Sequence, residues 1–200
     1  MAVKSFPRVG IIGSGQLAQM TLAPAAALGI DLITLANSSE DSAAQSSPHI
    51  VGDFRNLEDV RNFVKGCDVV TFEHELIPLS IIKTLESEGI KFLPSSSAFQ
   101  YSQDKALMRE KLSHLPSPKW RVVTEAIDWE YPAIAKAISG GYDGRGVWKL
   151  ESKSDLEKLL KDVPKIILEE LVNFDYEIAV MVARSPHGQG ASWEIGRAHV

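Results

Sequence analysis

Short, almost uninterrupted apolar runs alternate along the first half of the chain with segments whose apolar residues recur at helical spacing. Arg8-Val-Gly-Ile-Ile-Gly13, Asp31-Leu-Ile-Thr-Leu-Ala36 and Asp68-Val-Val-Thr-Phe-Glu73 are almost continuous, the pattern of strands buried on both faces of a parallel sheet. Gln19–Leu28 reads as a helix stopped by Gly29, although Pro24 inside it removes a backbone hydrogen bond and predicts a kink. A second helix, capped by Asn56 and running to about Lys65, carries Leu57, Val60, Phe63 and Val64 on one face. Ser46–Asp53 reads as a turn into a further short strand, Pro78–Gly89 as a helix and Ile90–Leu93 as a last strand. This alternation predicts an open parallel, Rossmann-like sheet over residues 1–97, with Pro94-Ser-Ser-Ser97 as the break that ends the domain.

Beyond the break the pattern changes. Ser102 is expected to cap a helix from Gln103 to Leu115, on which Lys105 and Arg109 share a face, and Pro116-Ser-Pro118 stops it. Tyr131–Lys136 and Val147–Leu150 read as two strands, Ser154–Lys161 as an amphipathic helix, and Lys165–Val172 and Phe174–Arg184 as strands of one layer. The expected fold is therefore α/β: a Rossmann-like parallel sheet followed by an incomplete α+β domain over residues 98–193.

Composition narrows the class of protein. The chain has 200 residues, 44% hydrophobic and 24% charged, a globular balance. Its net charge of −5 divides unevenly: the first hundred residues carry 7 basic against 11 acidic groups and the second hundred is nearly even, at 14 against 15. No basic excess marks a nucleic-acid surface, and Pro24, Gly29 and Asp31 interrupt the one apolar stretch that could suggest a membrane segment. The start lacks the apolar core of a signal peptide, so a cytoplasmic protein without membrane or nucleic-acid partners is expected. Cys67, the single cysteine, reads as a small buried residue without chemistry. Glu194–Val200 resembles a translated sequencing adapter, which would make the chain the front part of a longer protein.

The candidate chemistry centres on Gly140-Gly141-Tyr142-Asp143-Gly144-Arg145-Gly146, a loop able to bring backbone N–H groups against phosphate oxygens. Lys136 sits at its root, where a buried strand would deliver one ammonium into a cleft; the plain alternative is a hairpin turned by Asp143-Gly144. Gly13-Ser-Gly15-Gln-Leu-Ala18 follows the first strand as a dinucleotide motif would, but the second strand ends in Asn37 instead of the acid that holds an adenosine ribose. Glu73-His74-Glu75 ends another strand at the same sheet edge, so it should line one crevice with the Gly13–Leu17 turn unless it is only a solvated strand end. Glu169–Val172 followed by Glu177 is an arrangement that can pair backbone groups with an adenine edge and offer a carboxylate to ribose hydroxyls.

Taken together, Gly13–Met20, Thr71–Glu75, Gln103-Asp-Lys105, Gly140–Gly146 and Glu169–Val172 with Glu177 resemble the ATP-grasp family. Within it they resemble the branch that carboxylates aminoimidazole ribonucleotide with bicarbonate in purine biosynthesis, and the resemblance runs through residues 8–193. It implies a carbon–nitrogen ligase that uses ATP and Mg²⁺ and, at full length, a homodimer. It further implies Lys105 and Lys136 on the ATP phosphates, Gly141–Val147 (Gly141, Tyr142, Asp143, Gly144, Arg145, Gly146, Val147) as the lid, Glu169, Glu170, Leu171 and Val172 as the adenine hinge, and Glu177 at the ribose. Gly15, Gln16, Leu17, Glu73, Tyr142 and Arg145 would face the ribonucleotide, with Tyr142, Asp143 and Arg145 at the reacting centre. The family's metal ligands correspond to nothing before residue 193. Another ATP-grasp ligase would share the lid and hinge but not the Gly-Gln-Leu turn or Thr-Phe-Glu; a non-catalytic nucleotide-binding module would share only the ATP half.

Overall fold

The structure, a computed structural model, describes residues 7–140, 145–185 and 187–199. The chain divides into two compact units, one made of the described residues of Met1–Leu115 and Ala137–Gly146, the other of Pro116–Lys136 and Val147–Val200.

The first unit is built on four parallel strands, β1 (Arg8–Ile12), β2 (Asp31–Ala36), β3 (His49–Val51) and β4 (Val69–Phe72), in the order β3-β2-β1-β4. Helices α1 (Gln16–Ala27), α2 (Leu57–Val64) and α3 (Leu79–Ser87) connect or follow them, as the alternating pattern requires. Ile12, Leu35, Val70, Val60, Phe63, Ile82 and Leu85 form the core between sheet and helices. Asn56 caps α2 as expected, its side-chain oxygen accepting from Glu58 N and Asp59 N. The expected last strand at Ile90–Leu93 is reduced to one parallel bridge, Phe92 on Val70. α1 runs through Pro24, which lies on the exposed face, where water can reach the carbonyl it frees.

Of the helix expected over 103–115 the structure forms α5 (Lys105–Lys111), and a separate helix, α4 (Ser96–Gln103), precedes it, starting within the expected break. Asp104 separates them: its backbone is extended, at φ −128° and ψ 104°, and its carboxylate caps α5 by accepting from Leu107 N. Ser102 is therefore inside a helix instead of capping one.

The second unit holds β5 (Trp120–Val123), β6 (Ala133–Ala137) up to Lys136, β7 (Val147–Leu150) and β8 (Ile166–Glu170) in the order β5-β8-β6-β7. The β5–β8 and β6–β7 pairs are antiparallel. Helix α6 (Lys153–Asp162), capped by Ser152, packs Leu156 into a core with Val123, Ala133, Ala135, Leu150, Ile166 and Leu168. β9 (Tyr176–Arg184) does not join this layer, contrary to expectation. It pairs antiparallel with β10 (Gly190–His199) in a separate two-stranded sheet, and the ladder continues through Glu194 to His199. The result is a mixed α/β fold with one parallel and one antiparallel four-stranded sheet. Among the described residues no helix is long and apolar enough to cross a membrane.

Candidate functional site

In the first unit the carboxyl ends of β1 and β4 open onto a cleft of about 340 Å³, lined by Gly13, Ser14, Gly15, Leu17, Asn37, Asp41, Glu73 and His74. The turn after β1 and the acid ending β4 thus meet, as the strand order requires. Their contact is intimate: Glu73 accepts from Gly15 N at 2.7 Å and from Ala18 N at 3.1 Å. α1 has no cap from its own sequence, so the Glu73 carboxylate does that work, placing a negative charge at the positive end of the helix. The glycines make the approach possible. A Cβ on Gly13, whose φ is +109°, would lie 2.6 Å from Glu73 Oε2, and one on Gly15 would lie 2.8 Å from Oε1.

In a dinucleotide fold the pyrophosphate occupies this helix end. Here a side chain fills it, which agrees with the missing acid at Asn37. The remaining polar side chains that line the cleft include Asn37, Asp41 and His74. Asp41 is held in place by Asn37 N at 2.8 Å and Ser38 N at 3.3 Å. Leu76 N donates to His74 Nδ1 at 3.3 Å, so the neutral imidazole carries its proton on Nε2, which lies close to Gly13. Phe54 packs edge-on against the same ring at 4.8 Å. Ser14 is buried, and its hydroxyl pairs with Thr34 at 2.9 Å. Sequence reading brought the Gly13–Leu17 turn and Glu73-His74-Glu75 to one crevice but did not foresee Asn37 or Asp41 in its lining. Asp41 in particular reaches the cleft through a turn that no periodicity announces. Gln16 and Leu17 open α1 with exposed side chains.

In the second unit Lys136 Nζ lies 2.6 Å from Glu169 Oε2. The Glu169 side chain is 4% exposed, and Lys136 keeps 28%. Glu170 ends β8, its side chain accepting from Lys119 N at 2.8 Å while its own amide donates to Lys119 O at 3.0 Å. Leu171 and Val172 follow outside the strand, Val172 exposed. Glu177 is on β9 and exposed. An opening of about 400 Å³ beside the hinge is lined by Glu130, Tyr131, Pro132, Glu170, Leu171 and Asn173.

Of the loop residues, Gly141, Tyr142, Asp143 and Gly144 lie outside the described residues. Arg145 is exposed, and Gly146 O accepts from Ala137 N at 2.8 Å, closing the base of the loop; Val147 begins β7. β6 and β7 pair antiparallel, with the glycine loop between them in sequence, while Asp143-Gly144, the turn of the plain alternative, lies outside the described residues. Lys105 opens α5, and its amide donates to Ile138 O at 2.9 Å, just past the end of β6. Among the described residues no three His, Cys, Asp or Glu side chains lie close enough to hold a metal ion. A magnesium cage made of protein ligands alone is therefore not formed among the described residues.

Residues 6–103 match the ribonucleotide synthetase preATP-grasp domain and residues 108–199 the ATP-grasp domain. The N5-carboxyaminoimidazole ribonucleotide synthase of Mycobacterium tuberculosis is 37% identical to this chain, over 97% of the chain and 49% of the relative. Among solved structures, the N5-carboxyaminoimidazole ribonucleotide synthetase of Thermotoga maritima superposes with a TM-score of 0.81 at 32% identity, over 95% of this chain and 54% of that one. The Aspergillus clavatus synthase in complex with ADP and 5-aminoimidazole ribonucleotide gives 0.81 at 26% identity, over 94% and 52%. The chain spans about half the length of the relatives it matches. With both domain matches in sequence and the folds that go with them, the chain belongs to the ATP-grasp family, in the group that carries a ribonucleotide synthetase preATP-grasp domain.

Proposed function

We propose that this chain is part of a cytoplasmic carbon–nitrogen ligase that uses ATP to join bicarbonate to the amine of aminoimidazole ribonucleotide, releasing ADP and phosphate. The observation that carries the reading is the Lys136–Glu169 pair, which sets one ammonium beside the adenine hinge and directly ahead of the glycine loop in sequence. Its likeness to synthases of this activity extends through both domains.

In this reading the hinge, Glu169–Val172, receives the adenine and Glu177 the ribose, while Lys105, Lys136 and the backbone of Gly141–Val147 meet the phosphates. Charge developing on a transferred phosphoryl is stabilised by preorganised cations and N–H groups. Bicarbonate activated on phosphate gives a mixed anhydride that water would destroy, so a loop closing over it serves the chemistry by excluding solvent. Tyr142, Asp143 and Arg145, from the middle of that loop's sequence, serve the ribonucleotide in this reading. The β1/β4 cleft, its helix end already neutralised by Glu73, suits the hydroxyl- and amine-bearing part of the ribonucleotide better than a phosphate. Residues 1–97 serve as the preATP-grasp domain and 98–193 as part of the ATP-grasp domain. Mg²⁺ belongs to the reading as the nucleotide's counter-ion, and a homodimer as the assembled form.

The test uses the protein encoded by the complete gene, assayed for phosphate release with ATP, bicarbonate and aminoimidazole ribonucleotide. Release should depend on the ribonucleotide, and Lys136→Met should lower it roughly 10²-fold, about 3 kcal/mol of transition-state stabilisation. Turnover indifferent to the ribonucleotide would favour another ATP-grasp ligase. ATP binding with no turnover would favour a regulatory module.

A further inference from the structure

The Gln103 side chain spends both hydrogens of its amide nitrogen on one loop, donating to Glu75 O at 2.7 Å and to Ile77 O at 2.6 Å. Two carbonyl oxygens can be met only by the NH₂ end of the amide, so its orientation is determined by chemistry. That loop follows β4 and begins with Glu73 and His74, which line the cleft. Two residues after Gln103, the Lys105 amide donates to Ile138 O at the base of the glycine loop, whose other side is closed by Ala137 N on Gly146 O. Asp104, between them, is fixed by capping α5. Every one of these groups belongs to the first unit.

We propose that Gln103 is a positioning residue that ties the cleft loop after β4 to the base of the glycine loop through Lys105. The inference rests on the proposed function for its purpose: it would let occupancy of the ribonucleotide cleft bias the loop that covers the phosphates. Its physical content does not depend on that function. Three consecutive residues carry a side-chain staple, a helix cap and a backbone bond to three different places, so a shift of the cleft loop displaces the Lys105 amide. Coupling between sites through such an element typically amounts to a change of several-fold to a hundredfold in an equilibrium.

The experiment compares wild type with Gln103→Met, which keeps the length of the side chain and removes both donors. Amide exchange is followed by NMR on this chain without ligand. The amide of Leu76, and those of Lys105 and Ala137, should exchange about tenfold faster in the variant. Amides within β1 and β2 should keep their wild-type rates. Acceleration confined to Leu76 would overturn the proposal, because the staple would then be local. Equal acceleration throughout β1 and β2 would also overturn it, as general destabilisation. A second arm adds aminoimidazole ribonucleotide, which should protect Lys105 and Ala137 in wild type and not in the variant. Absence of any protection in wild type would count against the proposed function, while the ligand-free comparison still decides the role of Gln103.

Discussion

Cys67 shows how a single side chain is governed by its packing. Its Sγ stands where a Cβ on Gly10 would lie 2.6 Å away, so the first strand must carry glycine there for the thiol to fit. Burial pushes the Cys67 thiol up from 9.0 to about 11, with Arg8 opposing the shift. The folded chain therefore keeps this proton when the unfolded chain has lost it. Stability is unaffected below about pH 9, falls as the pH climbs from 9 towards 11, and levels off above. Urea midpoints of wild type and Cys67→Ala, compared at pH 7 and pH 10.5, should diverge more at the higher pH, with wild type losing more. The same protonation leaves roughly one thiolate in a thousand at pH 8, so alkylation of the native protein should be slow. Equal pH dependence of the two proteins would show that the thiol is not held by burial. Lys136 makes a complementary point about what one sequence can reveal. Its place before the glycine loop is legible, but its partner is not, because 33 positions separate it from Glu169 and only the neighbouring placement of β6 and β8 brings them together.

At the scale of elements, two helices take their N-terminal caps from side chains distant in sequence. Glu73 serves α1 across 58 residues, and Glu86 serves α4 by accepting from Ser96 N at 2.8 Å and from the Ser96 hydroxyl. Asn56, Asp104 and Ser152 cap in the ordinary local way, which is why α2 and α6 were legible and their starts fell close to expectation. The parallel strands were equally plain, since burial on both faces leaves continuous apolar runs. β5 was not recognised, because Trp120–Val123 is four residues long and follows a proline-rich break. The split between α4 and α5 turns on one residue, Asp104, whose preference for a cap outweighs the continuous helical pattern around it. Glu73 offers the sharper test. Glu73→Ala leaves the Gly15 and Ala18 amides without their acceptor and should destabilise the first unit by about 1–2 kcal/mol, with Glu73→Gln losing less. Chemical denaturation followed through the first unit measures this. An unchanged midpoint for Glu73→Ala would mean that water replaces the carboxylate at no cost, and that Glu73 matters for ligand alone.

For the molecule as a whole, the least settled surface is the β9–β10 ribbon. Tyr176, Ile178, Val180 and Val182 alternate along β9 and so share one face, on which Ile178 is 60% and Val182 73% exposed. Met181 and Trp193, a cross-strand pair, are exposed as well. A two-stranded ribbon is marginal in water by itself, and an apolar face of this extent marks either an interaction surface or a tendency to associate. Sequence periodicity found β9 but assigned it to the layer of β8, because alternation identifies a strand without saying which neighbour it pairs with; only the ladder to β10 decides that. Threonine preserves strand propensity while removing the apolar surface. The chain carrying Ile178→Thr, Val180→Thr and Val182→Thr together should therefore bind less of a hydrophobic dye than wild type and show a smaller rise in apparent mass with concentration in light scattering. The antiparallel ladder should persist, as judged by slow exchange of the β9 amides that face β10, and exchange within β1 and β2 should be unaltered. If dye binding and apparent mass remain at wild-type values, the exposed face of β9 is not what draws chains together, and attention would pass to Leu17, Met20 and Leu28, the exposed apolar side chains of α1 and its cap, at 62%, 67% and 67%.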